Sequence, residues 1–332
     1  MISNKLAIST SSLSQDPSHS LHHKVHAAAD AGYEGVEIVY GELEAWSQLQ
    51  NISLLAAAEK IKSICDGRNL TILSLAPFEN YEGDRSPLHE RLQKANLWIE
   101  VARKLQAPFL QVPAHYGLNA SGDENVIVTE LQQLADLASS KRPRVSIAYE
   151  PMSWSTHHST WESALALTTA VDRLNFGLCL DTFHIATNLW GDCLAPSGKF
   201  PHADENLQAS LRRYLDSCPL DKVFFVQLSD GEKFEPPFSV AHPWYQAGEA
   251  PQFTWSKHAR PFPYESHFGA YLPVAEIAKA CIVDKKYTGW VSLEIFDRRM
   301  RQGDVQPETA ALRGMESWKR LNADICRAEP KL

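Results

Sequence analysis

The stretch NFGLCLDTFH, residues 175–184, decides the fold. Its apolar run, residues 176–180, has no polar face, so both of its faces must be covered, as in a parallel sheet with helices packed against it. Asp181 leaves the carboxyl end of that strand and His184 follows three residues on. Strand carboxyl ends are where α/β proteins carry their chemistry. The competing reading makes Asp181 a helix cap, since Asp is a preferred N-cap, and His184 an ordinary surface residue.

Working outward, apolar strands alternate with amphipathic helices in both directions. Strands are expected at 6–11, 35–40, 70–78, 109–112 and 145–149 before the central one, and at 223–228 and 290–295 after it. Helices are expected at 19–31, closed by Gly32, at 52–65, stopped by Gly67, and at 87–105, 125–139, 161–171, 205–215 and 307–321. Eight alternating strands predict a (β/α)8 TIM barrel forming a single domain over residues 1–332. A doubly wound open sheet is the runner-up, but the first turn, STSSLSQD, lacks the glycines that such a fold usually places there. One connection, residues 230–268, is too long for an ordinary βα loop. Rich in Pro, His and aromatic residues, it reads as a substrate-covering insertion and not as disorder.

At 332 residues, 44% hydrophobic and 22% charged, the chain can bury a large core. A formal charge of −8 with no basic run argues against nucleic-acid binding, which rests on clustered Lys and Arg. The six cysteines form no CxxC pair and sit in mostly apolar contexts, as reduced cytoplasmic cysteines do. No secretion signal or apolar membrane span stands out, so a cytoplasmic location, away from membranes, is expected. Assembly into a homo-oligomer is compatible with everything in the sequence.

Four consecutive strand ends carry oxygen donors: Glu150, Asp181, Gln227 and Glu294. In a barrel these ends converge on one quadrant. Three carboxylates and an amide make a hard site suited to Mg²⁺ or Mn²⁺, with Co²⁺ a further candidate. Converging carboxylates would repel one another without a cation. His184 is the nearest candidate for proton transfer. His157 and His158, in WSTHHSTW, form a second candidate pair and His115 a third. Glu37, ending strand two, faces the same cavity and could hold a substrate hydroxyl or serve structure alone. Arg260 and Lys257, in the long insertion, are the cations placed to bind a carboxylate substrate, and Arg85 competes from the loop after strand three.

The segments AGYEGVEIVYGELEAW, PFENYEG and FVQLSDGE resemble the sugar-isomerase and endonuclease-type TIM barrels. More closely, HPWY, WSKHAR, GAYLPV and GWVSLEIFDR resemble the fungal 3-dehydroshikimate dehydratases, and the likeness runs from strand one to strand eight. The barrel motifs mark only the superfamily, whereas the stretch from HPWY to GAYLPV is close to diagnostic. The resemblance implies a divalent metal on Glu150, Asp181, Gln227 and Glu294, with His184 and Glu37 in the site. Bacterial relatives place a histidine two residues after the first metal-binding glutamate. Met152 stands there in this chain, which leaves the base unassigned. Within WSKHAR the family more often has Asn where this chain has His258, which leaves room for a changed substrate.

The implied reaction converts 3-dehydroshikimate to protocatechuate and water in quinate and shikimate catabolism. The metal would polarise the ketone while His184 carries the proton and Arg260 with Lys257 clamps the carboxylate. The alternative is a metal-dependent sugar isomerase or epimerase that shuttles protons between Glu150 and Glu294. A binding scaffold without activity sits poorly with four intact donors, and a nuclease sits poorly with the acidic charge.

Overall fold

A computed structural model describes residues 2–327. Eight parallel strands close into a barrel: β1 (Leu6–Ser9), β2 (Gly35–Val39), β3 (Thr71–Ala76), β4 (Phe109–Pro113), β5 (Ser146–Glu150), β6 (Phe176–Asp181), β7 (Val223–Leu228) and β9 (Trp290–Leu293). Between the last two in sequence lies a two-residue strand, β8 (Ala259–Arg260), which pairs antiparallel with β10 (Phe296–Asp297) outside the barrel. The expected barrel is therefore the one found.

The helices are α1 (Leu21–Ala31), α2 (Tyr40–Leu49), α3 (Leu54–Gly67), α4 (Leu88–Leu105), α5 (Glu124–Ser139), α6 (Trp161–Val171), α7 (Thr182–Leu189), α8 (Ala203–Ser217), α9 (Pro251–His258), α10 (Val274–Ala278) and α11 (Pro307–Arg327). They form the outer shell, and the main core lies between them and the strands. Ser20 and Ser53 cap α1 and α3 by accepting from His23 N and Ala56 N. Among the described residues, no helix is long and apolar enough to cross a membrane.

Inside the barrel, side chains two apart on a strand point the same way. This period builds two layers. Ala7, Leu73, Ala148, Cys179 and Phe225 fill the lower one. Two residues further along β5, β6 and β7 come Glu150, Asp181 and Gln227. Strand register completes the upper layer: Ser9 lies beside Glu37, Glu37 beside Ser74, Asp181 beside Gln227, and Gln227 beside Ser292.

Three of the expected boundaries that move bear on the site. The first strand ends at Ser9 and passes into a short 3-10 turn, Thr10–Ser12. The eighth barrel strand ends at Leu293, leaving Glu294 one residue beyond, tied back to β7 by its amide on the Leu228 carbonyl at 3.2 Å. The insertion over 230–268 is not a plain loop, because it contains α9 and β8. It packs tightly at its base, where a Cβ on Gly231 would sit 2.7 Å from Leu272 and 2.9 Å from Trp255. Neither the site nor the core is built from cross-links, since all six cysteines are free and all but Cys326 are buried.

Candidate active site

Asp181 meets both readings of its sequence. It ends β6 and is also the N-cap of α7, its Oδ1 accepting from Phe183 N at 2.8 Å. Ser229 Oγ lies 3.4 Å from the same oxygen. The other oxygen, Oδ2, faces the barrel mouth, 3.7 Å from His184 Nε2. His184 is on the first turn of α7, and its Nε2 also lies 3.5 Å from Glu150 Oε1. One donor atom each from Glu150, Asp181 and His184 falls within 4.8 Å of the others.

Two further acids join them. Glu37 accepts from Ser74 Oγ at 2.7 Å and from Gln227 Nε2 at 3.1 and 3.3 Å. Gln227 Nε2 also donates to Glu294 Oε1 at 3.1 Å, while its Oε1 accepts from the Cys179 thiol at 3.0 Å. The expected amide ligand thus turns its nitrogen, not its oxygen, toward the carboxylates. It would have to rotate to hold a cation.

Arg260 is the largest departure from expectation. Foreseen as an accessible clamp for a substrate carboxylate, it is 1% exposed. Its Nη2 donates to Asp181 Oδ2, to Ser229 Oγ at 2.7 Å and to the Glu294 carbonyl at 3.1 Å, with Glu294 Oε2 at 3.4 Å. The guanidinium lies over the Phe183 ring at 4.7 Å and the Phe296 ring at 5.1 Å. The pairing of β8 with β10, with Arg260 opposite Phe296, turns the side chain inward.

Other expected cations and histidines lie apart from this cluster. Lys257 Nζ is paired with Glu249 Oε2 at 2.6 Å. Arg85 is exposed and donates from Nε to the Asn119 carbonyl at 3.1 Å. His157 is exposed, its Nε2 3.3 Å from the Ala120 carbonyl. His158 Nε2 lies 3.4 Å from Glu124, and His115 Nε2 lies 3.3 Å from Asp84.

Burial sets the electrostatics. Glu37, Glu150, Asp181 and Glu294 are all buried, and desolvation pushes each carboxyl above its ordinary value. Glu150 goes well above, with the charges of Glu294 and Asp181 adding to burial. For Asp181, Arg260 offsets part of the desolvation. His184 is held well below its ordinary value, first by burial and then by Arg260. Burial thus favours its uncharged form. Its Nδ1 accepts from Ser153 N at 3.2 Å, so the ring proton sits on Nε2 and points at the acids.

Four buried carboxylates against one guanidinium, with Glu150 Oε1 buried and unpartnered, are chemically matched to a divalent cation. The buried acid and histidine cluster could bind a metal. The tautomer of His184 separates the roles, because a ring carrying its proton on Nε2 donates there and does not coordinate. Gln111, whose Nε2 donates to Glu150 Oε2, was missed from the sequence. The two-residue inward period of β4, which places Gln111 one step above Phe109, is the signal that could have found it.

Comparison with known proteins places this geometry. The family described as xylose isomerase-like TIM barrel matches residues 25–321. The 3-dehydroshikimate dehydratase of Neurospora crassa is 38% identical over 97% of this chain and 94% of its own length. The 3-dehydroshikimate dehydratase of Pseudomonas aeruginosa is 28% identical over 86% of this chain, which spans only 37% of that larger protein. Among solved structures, a xylose isomerase-like TIM barrel/4-hydroxyphenylpyruvate dioxygenase fusion protein superposes with a TM-score of 0.72 at 25% identity, covering 99% of this chain and 46% of the fusion. The chain belongs to the xylose isomerase-like TIM barrel family and, within it, groups with the fungal-type 3-dehydroshikimate dehydratases.

Proposed function

We propose that this protein is a metal-dependent lyase that dehydrates 3-dehydroshikimate to protocatechuate and water, in the cytoplasmic breakdown of quinate and shikimate. The observation that carries it is the cluster of Glu37, Glu150, Asp181, Glu294 and His184, buried at the strand ends of a chain 38% identical to a relative of that name. Glu150, Asp181, Gln227 and Glu294 would hold Mg²⁺, Mn²⁺ or Co²⁺. Bound there, the ion supplies Lewis acidity toward the substrate ketone.

The chain's own residues then divide the proton work. Glu150, whose Oε1 is free and whose carboxyl favours a proton, takes the proton from the carbon beside the ketone. Glu150 then hands that proton to the departing hydroxide, which leaves as water. His184, whose Nε2 lies 3.5 Å from Glu150, donates a hydrogen bond to the departing oxygen and keeps its own proton. Aromatisation of the ring drives the sequence forward. Glu37, held by Ser74 and Gln227, accepts from a substrate hydroxyl. Lys257, freed from Glu249, meets the carboxylate of this small-molecule partner.

The test is direct. Purified protein, 3-dehydroshikimate and added Mn²⁺ or Mg²⁺ should give the ultraviolet absorbance of a catechol acid, and chelator should abolish it. Metal-replete protein that forms no product removes the proposal.

A further inference from the structure

The position of Arg260 raises a question that the metal reading leaves open. Asp181 has two oxygens, and the cap of α7 uses Oδ1. The oxygen left for a cation is Oδ2, and the guanidinium already holds it. The same nitrogen reaches toward Glu294 Oε2 at 3.4 Å. Two of the three carboxylates in the expected ligand set are thus engaged by a positive charge built into the chain, while the third, Glu150, has an oxygen with no partner.

This guanidinium is not a loosely placed side chain. Ser229 takes its Nε and Nη2, Ser256 lies 3.3 Å from its Nη1, and two aromatic rings cover it. It also belongs to the insertion, immediately after α9, so a cation at the centre of the barrel mouth is delivered by the segment that covers it. Arg is the side chain suited to this, since it cannot lose its charge and its planar fork meets two acids together.

We propose that Arg260 is an internal counter-ion that stands in for the divalent metal and competes with it for Asp181 and Glu294. Arg260 thereby keeps the metal-free site folded and sets how tightly the site takes up its ion. The inference rests on the metal-dependent reading above. Removing one positive charge beside a divalent ion strengthens binding. Removing it from a nest of buried carboxylates in the absence of the ion destabilises the fold. The two effects have opposite signs, and a purely structural arginine would show only the second.

The experiment titrates Mn²⁺ into chelator-treated full-length protein, with free ion read by electron paramagnetic resonance, for wild type, Arg260→Met and Arg260→Lys. The expected result is affinity at least about tenfold tighter in Arg260→Met and close to wild type in Arg260→Lys. The thermal midpoint of metal-free Arg260→Met should fall and recover when Mn²⁺ is added. Recovery of that variant as folded protein only when Mn²⁺ is present throughout purification supports the same conclusion. Equal or weaker Mn²⁺ affinity in Arg260→Met, with wild type binding normally, overturns this inference alone. So does a metal-free Arg260→Met as stable as wild type. Absence of Mn²⁺ uptake by the wild type overturns it together with the metal-dependent reading.

Discussion

At the residue scale, His184 shows how much a single hydrogen bond decides. The amide of Ser153 fixes the lone pair on Nδ1, so the group facing the acids is a donor. Replacing His184 by leucine removes that donor and should lower kcat by roughly 10²- to 10³-fold, with KM for 3-dehydroshikimate nearly unchanged, in a steady-state assay. Glu150→Gln should lose turnover and also weaken Mn²⁺ binding, because one carboxyl serves both tasks. Glu150, Asp181, Gln227 and Glu294 were legible in the sequence because each sits at or one residue beyond the end of an apolar run, where strand periodicity gives direction. Arg260 was not. Its sequence neighbourhood gave membership in a long connection and no period, and only the pairing of β8 with β10 turns it inward. The amide of Gln227 was legible as present but not as to which end it presents.

At the element scale, the insertion closes the barrel mouth through an aromatic chain. Phe253 of α9 packs 5.1 Å from Trp154 and 5.4 Å from Tyr116, and Trp154 lies 4.7 Å from His184. Trp255, on another side of the same helix, meets Phe183 of α7 at 5.5 Å. Asp181, His184 and Arg260 are only 1–3% exposed beneath it. Each such ring pair contributes about 0.5–1.5 kcal/mol. Phe253→Ala should therefore weaken closure, raising KM by roughly tenfold and altering Trp fluorescence on substrate binding. The alternation of strands was legible because buried parallel strands are plain apolar runs. Helix α2 was not foreseen, and α7 only in the reading of Asp181 as a helix cap, since each starts directly at a strand end. Val39 and Asp181 act as both last strand residue and N-cap, with no glycine or proline between to mark a boundary.

At the scale of the whole molecule, buried acids give stability a pH dependence. Glu82 and Asp230 are both fully buried, and desolvation raises each carboxyl to about 7. Their folded forms keep protons that the unfolded chain releases near pH 4, so stability falls as pH rises through 7. The histidines with lowered values, His184 and His258 among them, act in the opposite sense, but most of their contribution is already made below pH 6.5, where unfolded imidazoles lose half of their charge. Metal-free protein should accordingly show a lower urea midpoint at pH 8.5 than at pH 6.5, and Glu82→Gln should reduce that difference. Away from the mouth, Arg91 and Glu130 form a buried two-bond pair, at 2.7 Å each, tying α4 to α5. Glu130→Ala leaves the guanidinium buried and unpaired, and should cost about 3–5 kcal/mol in the same denaturation experiment.

The cysteines carry one more consequence. Burial pushes the thiols of Cys65, Cys193 and Cys281 up to about 12 and that of Cys218 to about 11, and Cys179 lies inside the barrel. Only Cys326, near the end of α11, faces water. A maleimide dye should therefore label the native protein once, without any engineered change. That single reporter, fixed on the outer shell, offers a reference point for energy-transfer measurements that test whether α9 moves when substrate enters.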